Sequence, residues 1–160
     1  MVLAADVYLS ASKVHSAHRM EFTIRLAEPR DNKALTVLFN SDTKIFGDDA
    51  TGFGDTDTLE YINDPKKMVF VCEHAHGLAG ALVADYHTTY SHLETLIVAP
   101  DFQKTGVGTA LFDFYEKDLE RINIPLIEVM TGVENTVMQN ILTKRGFRQG
   151  NTFVFYSKGK

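Results

Sequence analysis

The sequence predicts an α/β (α+β) fold in which a mixed sheet is flanked by helices. Short apolar runs bounded by turn signals, segments whose apolar residues recur at helical spacing, and the alternation of the two along the chain carry that prediction. Residues 22–26 (FTIRL) alternate apolar and polar side chains and predict a first strand. Residues 29–39 follow as a helix, with Pro29 in its first turn, where a missing N–H costs nothing. Residues 41–64 are irregular and rich in Gly and Asp, with a short helix at 56–62. Residues 68–73 (MVFVCE) and 78–86 pair as consecutive strands around a turn at 74–77, and 92–98 is another strand. From Val107 the period changes, with Val107, Ala110, Leu111, Phe114, Leu119 and Ile122 on one helix face. Residues 125–130 (PLIEVM) predict a strand, 135–145 a helix ended by Gly146, and 152–157 a final strand. The resulting order is β-α-(α)-β-β-β-α-β-α-β.

The chain has 160 residues, enough for one domain with a sizeable core. We read residues 1–20 as a loosely ordered amino-terminal arm and 21–160 as a single domain. The formal net charge is −5. Nucleic-acid binding relies on a basic surface, so it is not expected, whereas cationic small molecules or basic peptides suit the charge. Cys72 is the single cysteine, which excludes an intrachain disulfide and makes a reducing compartment the default. No apolar run approaches the roughly 18 residues of a membrane helix, and the amino terminus lacks the pattern of a signal peptide. A cytoplasmic location with no membrane association is the expectation.

The segment with the clearest chemistry is Val98-Ala-Pro-Asp-Phe-Gln-Lys-Thr-Gly-Val-Gly-Thr109, where a strand hands over to a helix. Such a junction exposes unpaired backbone N–H groups at the positive end of the helix dipole, and glycines let a phosphate approach them closely. A Walker loop requires Gly-x4-Gly-Lys-Ser/Thr, which is absent. A Rossmann fingerprint requires a third glycine, but Gly106-Val-Gly108 is followed by Ala110 and Leu111.

The string resembles the GNAT superfamily of acyl-CoA-dependent N-acetyltransferases. The pyrophosphate signature Arg/Gln-x-x-Gly-x-Gly/Ala is met by Gln103-Lys-Thr-Gly106-Val-Gly108. Val98-Ala-Pro100 before it, Asn135 near a helix start and Gly146-Phe147 past a helix end fit the family as well. The resemblance spans residues 22–158. It implies a mixed, mostly antiparallel central sheet of about six to seven strands flanked by about four helices, and acetyl-CoA as co-substrate with no metal. It also implies that backbone groups of Leu96, Ile97 and Val98 hold the pantetheine arm. Gln103, Lys104, Thr105, Gly106, Val107, Gly108 and Thr109 would bind the pyrophosphate, and Asn135 and Met138 would contact the arm from the far side. Gln103 stands where many relatives have Arg, which exchanges a charge-assisted hydrogen bond for a neutral one that Lys104 can partly replace. A homodimer is compatible with the resemblance.

Acetyl transfer to an amine needs a deprotonated amine and a stabilised oxyanion. Glu94 lies four residues before Val98, so strand alternation predicts that both face the same side. In resembling enzymes a Glu here acts as general base, and the Val98 N–H is the oxyanion donor. His92, on the same side, is the alternative base, and a carboxylate that merely orients the substrate or faces water is the plain alternative for Glu94. The usual acid, a Tyr four residues before the Gly-Phe glycine, is replaced by Leu142. Tyr86, Tyr90, Tyr115 and Tyr156 are not ranked by the sequence, and a thiolate leaves readily without an acid.

Cys72, His74 and His76 alternate along a strand, but the turn at Gly77 and the lack of a fourth ligand argue against a metal site. Cys72 is also a weak candidate for a covalent acyl carrier. Residues 41–64 concentrate acid: Asp42, Asp48, Asp49, Asp55, Asp57, Glu60 and Asp64 against Lys44 alone. Such a rim would attract a polyamine, an amino sugar or a basic peptide, unless it is only a solvated loop. Three functions follow: an enzyme acetylating a primary amine by direct attack in a ternary complex, an acetyl-CoA or CoA-binding module with little catalysis, or another kind of nucleotide-binding domain.

Overall fold

The computed structural model describes residues 12–15, 21–42, 52–154 and 156. The chain divides into two compact units, residues 1–129 and 130–160. The first contains a six-stranded sheet in the order β1 (Ser12–His15), β2 (Glu21–Leu26), β3 (Lys67–His74), β4 (Gly77–Tyr86), β5 (Ser91–Val98) and β6 (Ile127–Val129). Neighbours are antiparallel except β5 and β6, which run parallel. This is the mixed, mostly antiparallel sheet expected from the sequence.

The central strands are apolar at nearly every position because both faces of the sheet are covered. On one face Leu35, Leu38 and Phe39 of α1 (Asn32–Phe39) pack on Val69, Val71, Ala81, Val83 and Ile97. Helix α2 (Asp55–Asn63) lies beside α1, with Thr36 Oγ1 donating to Thr58 Oγ1 at 2.9 Å. The other face is covered by α3 (Val107–Arg121), where Phe114 stacks edge-on against Phe70 with ring centroids 5.2 Å apart. Tyr115 donates to Ser91 Oγ at 2.7 Å, and Tyr86 to the buried Asp118 at 3.0 Å, so α3 is tied to both β4 and β5. At the end of α1, Asn40 takes both backbone groups of Phe53: its Oδ1 accepts from the N–H and its Nδ2 donates to the carbonyl, each at 2.9 Å.

The second unit holds α4 (Thr136–Lys144). Asn135 caps it by accepting the Met138 N–H at 3.1 Å. Its other end closes with paired bonds, Gly146 N–H to Thr143 O and Phe147 N–H to Leu142 O, around Gly146 at φ 83°. The Gly-Phe pair therefore terminates this helix as its sequence anticipates.

Two strand assignments differ from the sequence reading. Ser12–His15, within the arm expected to be loosely ordered, pair with β2 from Ser12 opposite Ile24 to His15 opposite Glu21. The final strand predicted at 152–157 is not formed at its described residues, 152–154 and 156. A strand exists only with a ladder partner, and the second unit offers none among its described residues. No helix among the described residues is long and apolar enough to cross a membrane.

Gly80 sets how closely α3 approaches the sheet. A Cβ there would lie 2.8 Å from Ile97 O, 2.9 Å from Val107 Cγ1 and 3.1 Å from Leu111 Cδ1. Gly80→Ala should therefore lower the urea midpoint, by about 1–3 kcal/mol of stability. Gly132→Ala, where a Cβ meets nothing within 4 Å, should leave the midpoint unchanged.

Candidate active site

Beyond Leu93 the outer edge of β5 is open. β6 pairs only with Ser91, His92 and Leu93, and residues 94–98 have no strand partner on that side among the described residues. On the inner side Ala99 N–H donates to Ala79 O at 2.9 Å. Bonded pairs alternate along an antiparallel ladder, so Ile97 opposite Ala81 is a bonded pair, while Leu96 opposite Leu82 and Val98 opposite Gly80 are not. The N–H and C=O groups of Leu96 and Val98 therefore point out along the free edge. Ile97 departs from expectation: its backbone is committed to β4 and its side chain is buried in the core under α1.

The edge runs into the loop before α3. Pro100–Phe102 form a short 3-10 turn, Lys104 and Gly106 follow at φ 61° and 95°, and the helix ladder starts with Ala110 N–H to Gly106 O at 2.9 Å. Two of the expected phosphate donors are partly used inside the turn: Gln103 N–H reaches Pro100 O at 3.3 Å, and Thr105 N–H reaches Phe102 O at 3.4 Å. The N–H groups of Lys104, Gly106, Val107 and Gly108 meet no acceptor among the described residues. Gly108 also faces Val98, whose Cγ2 would lie 3.3 Å from an added Cβ. The Gln103 side chain turns back, its Nε2 3.5 Å from Val98 O. Phe102 anchors the loop against Phe22 and His74, with centroids 5.9 and 5.3 Å away.

Glu94 does not share a face with Val98. The β4–β5 register pairs Val83 with Thr95 but Ala84 with Leu93, leaving Glu94 as the extra residue of a β-bulge. The bulge breaks the two-residue alternation on which the sequence reading relied. Val98 faces α3, whereas Glu94 faces α2, where Tyr61 donates to its Oε1 at 2.7 Å and Lys67 Nζ lies 2.6 Å from its Oε2. Lys67 also binds Asp85 Oδ1 at 2.9 Å and sits 4.6 Å from the centre of the Tyr61 ring. Burial alone would make Lys67 easier to deprotonate; the Glu94 and Asp85 carboxylates outweigh it and hold the ammonium charged well above the ordinary lysine range. Burial, reinforced by Glu94, pushes the Tyr61 hydroxyl up to about 12. His92 is the ladder partner of Asp85 and belongs to this same face.

Tyr61, Lys67 and Asp85 were not foreseen as site residues. The tyrosines that were considered fare differently: Tyr86 and Tyr115 are buried and donate to Asp118 and Ser91, while Tyr90 stacks on His87. Of the acidic segment, Asp57 and Glu60 line a shallow depression with Gly52, Phe53 and Tyr61, and Asp48 and Asp49 fall outside the described residues. Cys72, His74 and His76 do not converge: Cys72 is fully buried, and the rings of His74 and His76 stack edge-on. No group of three or more potential metal ligands occurs among the described residues.

Burial pushes the Cys72 thiol up to about 12, which leaves it uncharged and inert at neutral pH. An aromatic disulfide reagent should therefore not label the native protein within minutes and should label one thiol after denaturation. Rapid native labelling would show that the thiol is accessible and return it to contention as an acyl carrier.

Comparison with known proteins bears on the family and the fold. The model of the acetyltransferase (GNAT) domain matches residues 50–159. No curated protein matches the sequence. Among solved structures, a ribosomal-protein-alanine N-acetyltransferase from Brucella melitensis biovar Abortus 2308 is similar with a TM-score of 0.72 at 12% identity, over 86% of this chain and 99% of that one. AAC(6')-Iy, complexed with the bisubstrate analogue CoA-S-monomethyl-acetylneamine, is similar with a TM-score of 0.69 at 18% identity, over 87% and 99%. An aminoglycoside acetyltransferase from an uncultured soil metagenomic sample has a TM-score of 0.71 at 14% identity, over 87% and 97%. At these identities the structures speak for the fold, and the domain match, which covers more than half of the chain, assigns the family: the protein belongs to the GNAT acetyltransferases.

Proposed function

We propose that the protein moves an acetyl group from acetyl-CoA to a primary amine, by direct attack in a ternary complex. One observation carries the cofactor half: the outward backbone groups of Leu96 and Val98, of which Val98 O meets only the Gln103 side chain, lead into the N–H groups of Lys104, Gly106, Val107 and Gly108, which have no acceptor among the described residues. An amide-bearing pantetheine arm extends the sheet at the first, and the pyrophosphate takes the second, where the positive end of α3 adds to the attraction. Gln103, Lys104, Thr105 and Thr109 complete that loop. The outward Val98 N–H suits a donor to the oxyanion of the thioester carbonyl.

The amine approaches from the α2 face, where Glu94 accepts its proton directly or through water, with His92 the alternative base. Asp57 and Glu60 beside Tyr61 favour a cationic acceptor: a small amine, an amino sugar or a peptide amine. The similar structures named as acting on ribosomal-protein alanine and as an aminoglycoside acetyltransferase support the amine class without choosing among these. Leu142, in place of the usual tyrosine, favours departure of the CoA thiolate without a protein acid. It is also the one feature that favours a CoA-binding module with little catalysis.

Acetyl-CoA at 100 times its Kd should raise Tm by roughly 5–10 °C, and NAD or ATP should not. Gly106→Ala, which forces a Cβ into φ 95°, should weaken that effect. Stabilisation by NAD or ATP but not by CoA would sink the cofactor reading. Release of free thiol with a panel of amines then tests transfer, and tight binding with no release across the panel would favour the module. Glu94→Gln should lower kcat by about 100-fold or more, most severely at low pH; an unaltered pH–rate profile would remove Glu94 from the base role.

A further inference from the structure

We infer that His74 is a positioning residue for the loop read as the diphosphate site: its ring, beside that of Phe22, seats Phe102 and thereby sets the direction of the Lys104 and Gly106 N–H groups. The inference rests on the reading of residues 103–109 as that site.

The loop holds a conformation that needs support. Lys104 stands at φ 61°, a left-handed conformation that residues other than glycine adopt at a cost and keep only where their flanks impose it. One flank is the start of α3, where Gly106 O accepts the Ala110 N–H at 2.9 Å. The other flank is Phe102. Its N–H donates to Ala99 O at 2.8 Å, and its carbonyl accepts the Thr105 hydroxyl at 2.5 Å and the Thr105 N–H at 3.4 Å. Gln103 and Lys104 are enclosed in the turn that these bonds close. The direction of the Lys104 N–H therefore follows from where Phe102 is placed.

Phe102 is placed from outside the loop, by a triangle of rings. Its ring lies 5.9 Å from Phe22, edge-on, and 5.3 Å from His74, while Phe22 and His74 are 5.6 Å apart. All three separations fall in the range of attractive aromatic pairs. Phe22 is buried on β2, and His74 is half-buried at the end of β3. The β3–β4 register shifts after Cys72, which pairs with Gly80, so that Glu73 pairs with Leu78 and His74 with Gly77. Ala79 is left with no residue opposite it on β3, and its carbonyl takes the Ala99 N–H where β5 runs out into the loop. One irregularity thus holds both the socket and the exit of β5.

His74 contributes its ring and not a hydrogen bond through the inner nitrogen. Its Nδ1 is buried and has no hydrogen-bond partner among the described residues. Such a nitrogen costs stability, so phenylalanine is the conservative replacement: it keeps the ring contacts and removes the unpaired atom.

The test uses the full chain. CoA is titrated by calorimetry, and the Lys104 and Gly106 amide resonances are followed by NMR in the protein without CoA. His74→Ala should raise the Kd of CoA by about two- to tenfold, the equivalent of one aromatic pair, and should shift both resonances. His74→Phe should return both readouts towards the original. With any amine that turns over, the KM for acetyl-CoA should rise while kcat holds. In a Phe102→Ala background, His74→Ala should add nothing further to Kd, because the route through that ring is already broken. An unchanged Kd or unmoved amides in His74→Ala overturns the inference, and so does an effect that adds in full to that of Phe102→Ala. If His74→Ala does not fold, His74→Leu, which fills the place without a ring, decides by the same two readouts. Should the unaltered protein bind no CoA, the cofactor reading fails and the amides alone decide: shifts in His74→Ala that His74→Phe reverses uphold the positioning role, and unmoved amides overturn it.

Discussion

A backbone amide withdrawn from water must find an acceptor, and the candidate site is marked by several that find none among the described residues. β6 accompanies β5 for only three residues, after which the β5 edge has no strand partner among the described residues. Had the two strands stayed together, Leu96 and Val98 would have spent their N–H and C=O groups on the ladder. The sheet instead leaves them off the ladder, with only the Gln103 side chain reaching Val98 O, and the chain turns at Pro100–Phe102 into a helix whose first amides have no acceptor among the described residues. Gly80 and Gly108 matter for the same reason: each omits a side chain where α3 closes on β4 and β5. The result is a line of main-chain donors and acceptors whose shape depends on the glycines that leave room for it.

The bulge at Glu94 then divides labour between the two faces of the sheet. On the α3 side lie Val98 and the loop that suits a cofactor; on the α2 side lie Glu94, Lys67, Asp85 and Tyr61. A regular strand would have placed Glu94 and Val98 on one face. With the extra residue, the proposed base and the proposed cofactor edge lie on different sides, the relation that the proposed direct attack needs.

Much of the fold was legible because its signals are local. MVFVC and the run that follows Gly77 read as buried strands, helical spacing from Val107 marks α3, and Asn135 and Gly146 punctuate α4. The loop at Gln103-Lys-Thr-Gly106-Val-Gly108 was legible for the same reason, since six consecutive residues carry it. What escaped depends on pairing. Simple counting back from the His74–Gly77 turn sets Lys67 opposite Ala84; an irregularity at Cys72 and Glu73 moves it to Asp85. A second irregularity reverses Glu94. Neither leaves a mark in the sequence that alternation can read, so the charged cluster was invisible although each of its members was in plain view. The run at 152–154 misled in the opposite way, because strand-like composition does not supply a partner strand.

Asn40 gives the α1–α2 face a further property. By bonding both main-chain groups of Phe53, it brings two points thirteen positions apart into register, and Phe53 in turn packs against Phe39 and Tyr61. The two hydrogen bonds thus fasten the last turn of α1 to the residues that lead into α2. Asn40 therefore acts at a distance: its main-chain bonds help fix the entry to α2, and with it the Tyr61 hydroxyl that meets Glu94.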